Sequence, residues 1–137
     1  LDFNNSNCNL MMEAQFQGIL TALMSSDNGA RRSAEANFDS QIQSNLEQSI
    51  ETLINIFGAQ SCDPVLRSFA GVLLRRAVEK HSGRMTPIST LQMRKRFMEI
   101  WASERNPLIL NRLSHVMAQS CLKCPWEELI PSFIQYS

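Results

Sequence analysis

Apolar residues recur along this chain at helical spacing. The first set follows i, i+3, i+4, i+7, i+8, which places its members on one face of a helix. It comprises Phe16, Ile19, Leu20, Leu23 and Met24. Similar single-faced patterns return at Leu46–Phe57, Phe97–Trp101 and Trp126–Ile134. No segment alternates convincingly with period 2, as a half-buried strand does, so the pattern predicts an all-α protein.

Small polar residues and prolines indicate where these helices begin. Asp63-Pro64 and Asn106-Pro107 each place a side-chain acceptor at the N-cap and a proline at N1, where the missing N–H has no helical partner. Ser89 with Gln92 fits a capping box. The predicted helices cover residues 12–25, 28–44, 46–58, 64–82, 90–104, 107–123 and 126–136.

The predicted helices alternate between two kinds. Those beginning near residues 12, 46, 90 and 126 have one apolar face, whereas the helix at 64–82 is apolar around more than half of its circumference. A helix that packs against its partner and against both neighbouring pairs needs such a wide surface. The starts recur at close to the ~40–47 residues of HEAT and armadillo hairpins. The sequence thus predicts an α-solenoid of HEAT-type helical hairpins, with three pairs and the first helix of a fourth over residues 12–137, after a flexible tail at residues 1–11.

Charge and motif content disfavour several functions. Lys+Arg 13 and Asp+Glu 13 give a net charge of +0, so the chain lacks the basic surplus of a non-specific nucleic-acid binder. No apolar run reaches the ~18–20 residues of a membrane span. Cys121 and Cys124 have metal-ligand spacing, but a structural zinc site needs four ligands and no second pair exists. We therefore predict no catalytic residue, cofactor, metal, nucleic-acid partner or membrane contact.

Three stretches of the chain carry a resemblance to a known family. They are Leu23–Glu35, Phe69–Arg76 (Phe-Ala-Gly-Val-Leu-Leu-Arg-Arg) and Cys124–Pro131. They are similar, in order, to a first-repeat turn, a second-repeat helix and the start of a later repeat in the importin-β (karyopherin-β) family of nuclear transport receptors. Pro125 and Trp126 stand in the reverse of the family's order. The resemblance covers residues 12–136 and is nearest to importins that carry ribosomal proteins and histones.

This resemblance implies that the second helices of the pairs bind the GTPase Ran in its GTP state. Ran-GTP and import cargo exclude each other in importers of that family, so the implied activity is a binding switch for cargo release. Cargo proteins and FG nucleoporins would bind to further repeats, since this chain is expected to be an N-terminal piece of a longer solenoid. The implied location is the cytoplasm and nucleus, with shuttling through the nuclear pore.

Polar strips on the second helices are the candidate contacts to Ran-GTP. The candidates are Arg32, Asp39, Arg67, Ser68, Arg75, Glu79, Asn111, Arg112, His115 and Gln119. The alternative interpretation is a solvated strip, in which Arg75 and Glu79 form an i, i+4 pair that stabilises the helix by ~0.2–0.5 kcal/mol. The basic run Arg94–Arg96 is expected on a solvated face of a first helix.

Two other functions stay open at this point. One is a HEAT or armadillo scaffold or adaptor for another complex, which would not bind Ran. The other is a free-standing helical enzyme, which is disfavoured because no acid, base or ligand residues converge. The last predicted helix exposes Leu129, Ile130 and Phe133 when no further helix covers it, and this raises the hypothesis of a dimer.

Overall fold

The structure, a computed structural model, describes the backbone of residues 2–123 and the side chains of residues 11–120. Its six α-helices are α1 (Asp2–Leu23), α2 (Asn28–Ser44), α3 (Leu46–Gly58), α4 (Pro64–His81), α5 (Pro87–Ser103) and α6 (Pro107–Lys123). A 3-10 turn at Ser82–Arg84 follows α4, and residues 2–123 contain no strand. The prediction of an all-α fold is confirmed. The helix predicted at residues 126–136 and its Leu129, Ile130 and Phe133 face lie outside the described residues.

The helices pack as a stack of antiparallel pairs in two layers. α1 packs against α2, α3 against α4, and α5 against α6. The first helices α1, α3 and α5 contact one another in sequence, and the second helix α4 packs broadly against the second helix α6. Each pair therefore contacts the next pair, which is the helical-repeat, solenoid-like arrangement that the alternating patterns predict.

Two of the predicted helix starts are confirmed in atomic detail. The Asp63 carboxylate accepts a hydrogen bond from the backbone N–H of Val65 at 2.9 Å. The Asn106 side chain accepts one from the backbone N–H of Leu108, also at 2.9 Å. Both bonds satisfy a first-turn donor that has no partner within the helix.

Two other predicted starts are wrong. α5 begins at Pro87 rather than at residue 90, because Thr86 is its N-cap and accepts from the N–H of Ser89 at 3.1 Å. Ser89 thus belongs to the first turn and is not the cap. α1 begins at Asp2 rather than at residue 12 and takes in most of the segment predicted as a tail. Once a helix has formed, each further residue adds a backbone hydrogen bond, so the helix can extend into a segment that has no apolar face. The flexibility of residues 1–11 stays a prediction.

The core lies between the two layers and joins all three pairs. Its largest fully buried side chains are Phe16, Leu20, Ile50, Leu53, Ile56, Phe57, Leu74, Val78, Phe97, Ile109, Leu113 and Met117. Burying one such side chain stabilises the fold by ~1.5–3 kcal/mol. The helical periods therefore identified the buried face correctly, and Met24, at the end of α1, is the member of the first set that lies exposed.

Gly71 sets how closely α4 approaches its neighbours. A Cβ atom added there would lie 2.7 Å from Cε1 of Phe57 and 3.1 Å from Cβ of Arg112. Only a residue without a side chain fits such a gap, so the second and third pairs meet tightly at this point. None of the helices in the part of the chain that the structure describes is long and apolar enough to cross a membrane.

Candidate functional site

Two clefts open between the second helices, and each is lined by some of the predicted site residues. The α4/α6 cleft has a volume of about 360 Å³ and is lined by Gly71, Val72, Arg75, Arg112 and His115. The α2/α4 cleft has a volume of about 390 Å³ and contains Asp39. We call the surface formed by α2, α4 and α6 the second-helix face.

The α4/α6 cleft brings together side chains from two successive pairs. Nε of Arg112 on α6 donates a hydrogen bond to Oγ of Ser68 on α4 at 3.1 Å. The stem of Arg112 lies beside Gly71, which leaves room for it. Ser68 is itself buried, at 8% exposure. The prediction that Ser68 lies on an open strip is therefore wrong, because its hydroxyl holds the Arg112 guanidinium against α4.

The charge around this cleft is positive. Arg75 and Arg112 are half-buried and His115 is exposed, and none of the described residues that line the cleft is a carboxylate. Among the described residues, Arg67 pairs with Glu104 and Arg96 pairs with Glu99, whereas neither Arg75 nor Arg112 is paired with a described acid. The i, i+4 pair predicted between Arg75 and Glu79 is absent from those same residues. Glu79 instead lines a different cleft, beside Leu91 and Ser120.

The α2/α4 cleft has walls of opposite charge. Its α2 wall contains Glu35 and Asp39, and its α4 wall contains Arg76, Lys80 and His81. Apolar side chains also line it, namely Leu23, Phe38, Ile42, Phe69, Leu73 and Ala77. Asp39 is among the residues predicted from the sequence, whereas Arg76, Lys80 and His81 on the α4 wall are not. The spacing of Arg76 and Lys80, one helical turn apart, was the available signal.

His81 also lines this cleft and is buried. Burial lowers the pKa of His81 below its ordinary value of 6.5, and the positive charges of Arg84 and Lys80 lower it further. The carboxylate of Asp39 acts in the opposite direction. Nδ1 of His81 lies 3.4 Å from Nη1 of Arg84. A neutral imidazole can accept a hydrogen bond from that guanidinium.

Arg67 does not lie on the second-helix surface, so that prediction is wrong. Its side chain is 3% exposed and forms a buried ion pair with Glu104, at the turn between α5 and α6. Nε of Arg67 also donates to the carbonyl oxygen of Phe57 at 2.9 Å. The remaining oxygen of the Glu104 carboxylate accepts from the N–H of Asn106 at 3.1 Å. Arg67 therefore links two helical pairs from the interior, where a partner protein does not reach it.

The remaining candidates line neither cleft. Arg32 and Asn111 are exposed on α2 and α6, and Gln119 is half-buried near the end of α6. The basic run on α5 also differs from its prediction. Arg94 is buried, and Arg96 is half-buried and donates to Oδ1 of Asn55 at 3.1 Å.

Comparison with protein-family models and with curated proteins found no match to this chain. Among the residues that the structure describes, no three His, Cys, Asp or Glu side chains lie together as metal ligands would. The fold is that of an all-α helical-repeat protein. Its charged clefts can form ion pairs and hydrogen bonds with side chains of another protein.

Proposed function

We propose that this chain is the Ran-binding part of an importin-β-type nuclear transport receptor, and that it binds Ran-GTP through the second-helix face. The observation that carries the proposal is the pair of charged clefts that place Asp39, Arg75, Arg112 and His115 on that face. The resemblance of Leu23–Glu35 and Phe69–Arg76 to the importin-β family supports Ran as the partner. Binding would act as a switch that releases cargo held by further repeats, during shuttling between cytoplasm and nucleus.

The size of the second-helix face fits a contact of moderate strength. α2 has 17 residues, which at ~1.5 Å per residue makes it about 26 Å long. α4 and α6 pack against each other, for which ~8–10 Å is usual, and the α2/α4 cleft separates α2 from α4, so the three helices form a face at least about 25 Å wide, or roughly 650 Å² or more. A standard interface buries ~800 Å² on each partner. The face alone is thus just large enough for specific binding, and additional repeats would strengthen the binding.

A titration with Ran loaded with GTP or with GDP tests this proposal. We expect binding of the GTP form only, and we expect Arg75→Glu to weaken it, because the change inverts the charge at the α4/α6 cleft. Arg105→Glu is the matched control, since Arg105 is exposed and lies in the turn before α6. No binding at about 1 mM Ran-GTP, a concentration that detects contacts as weak as ~4 kcal/mol, would contradict the proposal. Equal losses in the two variants would contradict the assigned face.

A scaffold for another helical protein is a second candidate function, and the α2/α4 cleft favours it. An apolar lining between an acidic and a basic wall suits an amphipathic helix with charged flanks. Under this function, Phe69→Ser weakens binding of the helical partner while Ran in either nucleotide state fails to bind. Ran-GTP binding would exclude a function confined to scaffolding.

A further inference from the structure

The α4/α6 cleft differs from the α2/α4 cleft in the balance of its charges. In the α2/α4 cleft, Glu35 and Asp39 face Arg76 and Lys80, so the two walls compensate each other. Among the described residues, the α4/α6 cleft is lined by cationic or neutral side chains alone. Two half-buried arginines that form no ion pair with a described acid repel each other and lose part of their hydration. An anion bound between the two arginines would relieve both effects.

The geometry of the two arginines suits a carboxylate. Arg75 comes from the second pair and Arg112 from the third, so each of the two helices contributes one arginine to the lining of the cleft. The bond from Nε of Arg112 to Ser68, at 3.1 Å, fixes that side chain and leaves its Nη groups for a ligand. A planar guanidinium binds a carboxylate through two parallel hydrogen bonds, and less entropy is lost when the donor is already held in place.

We propose that the α4/α6 cleft is a subsite for the carboxylate side chains of an acidic segment in a protein partner. The cleft, at about 360 Å³, has room for one or two side chains. A nucleic-acid backbone is disfavoured, because it would need a continuous basic track. The neighbouring cleft presents Glu35 and Asp39 instead. This inference rests on the proposed function in one respect only, namely the identity of the protein that supplies the acidic segment.

A capped hexaglutamate peptide is the probe, and binding is measured by calorimetry at low and moderate salt. We expect the parent chain to bind it, and Arg75→Gln to weaken binding about tenfold, the loss typical of one charge-assisted bidentate contact. Arg75 is the decisive position because it is half-buried on α4, whereas Arg112 also supports packing beside Gly71. Arg76→Gln is the matched control. It removes the same charge one residue away, from a side chain that lines the α2/α4 cleft.

Three outcomes overturn this inference. They are no binding of the peptide to the parent chain, equal weakening by Arg76→Gln and Arg75→Gln, and binding of inorganic phosphate with no binding of the peptide. A capped hexalysine peptide is the charge control and is expected not to bind.

The same variants separate this inference from the proposed function. If the peptide binds in an Arg75-dependent way but Ran-GTP does not bind, the subsite stands and the Ran proposal fails. If Ran-GTP binds but the peptide does not, the Ran proposal stands and the subsite inference fails. Circular dichroism of each variant shows whether the fold is intact, so a lost signal is assigned to the subsite alone.

Discussion

Replacing Glu104 by glutamine removes one partner of the buried ion pair that joins the second and third helical pairs. The side chains of Arg67 and Glu104 are both 4% exposed. Glutamine keeps the shape of glutamate but not its charge. The Arg67 guanidinium would then be a buried cation whose described contacts are a neutral amide and the carbonyl oxygen of Phe57.

The expected loss of stability follows from this burial. Removing one partner of a buried pair destabilises a protein by ~3–5 kcal/mol, because the remaining charge stays desolvated. A domain is usually stable by ~5–15 kcal/mol, so a loss of about 3 kcal/mol removes a fifth or more of the total. For a chain of this length, a loss of that size lowers Tm by roughly 10 °C. Removing both charges in Arg67→Met with Glu104→Leu is expected to cost less than Glu104→Gln alone.

Urea denaturation followed by helical circular dichroism measures these differences. The control is Glu99→Gln, which removes the same charge from the exposed pair Arg96–Glu99, whose side chains are 42% and 51% exposed. We expect the control to change the free energy of unfolding by less than ~1 kcal/mol. If Glu104→Gln is no more destabilising than Glu99→Gln, the buried pair does not hold the two helical pairs together as the structure indicates.

Three further predictions concern packing, pH and association. Gly71→Ala places a Cβ 2.7 Å from Phe57 and is expected to destabilise by ~1–3 kcal/mol in the same urea assay, whereas Gly83→Ala, with nothing within 4 Å, is expected to have little effect. Because the pKa of His81 is lowered in the fold, the unfolded chain binds the proton more tightly, so stability falls as pH drops below about 6.5 and levels off below the lowered pKa. His81→Gln should reduce the slope of the unfolding free energy against pH in this range, and an unchanged slope would count against the assignment to His81. If the chain dimerises through its last predicted helix, Phe133→Asp should sediment with a lower mass than the parent chain. Equal masses would reject the dimer hypothesis.

The helices were largely predictable because their signals are local. α2, α3 and α6 have the predicted bounds, since apolar period and caps lie within each segment. The start of α5 was missed although Thr86-Pro87 repeats the acceptor-proline signal that located α4 and α6. The start of α1 carried no such signal, because its first residues have no apolar period.

The candidate site was predictable only where helical periodicity alone decides which residues lie on the surface. Polar strips on two neighbouring second helices indicated Arg75, Arg112 and His115, and these three residues line one cleft. The burial of Arg67 and Ser68 depends on partners 37 and 44 residues away, and helical periodicity contains no information about such contacts.

The central claim is that the second-helix face recognises Ran-GTP, and methyl NMR of this chain tests it most directly. Val72 lines the α4/α6 cleft, whereas Ile88 is exposed on the first helix α5. Adding Ran-GTP is predicted to shift the Val72 methyl signals and leave those of Ile88 in place, and Ran-GDP is predicted to shift neither. Shifts at Ile88 without shifts at Val72, or equal shifts with both nucleotide forms, would contradict the claim.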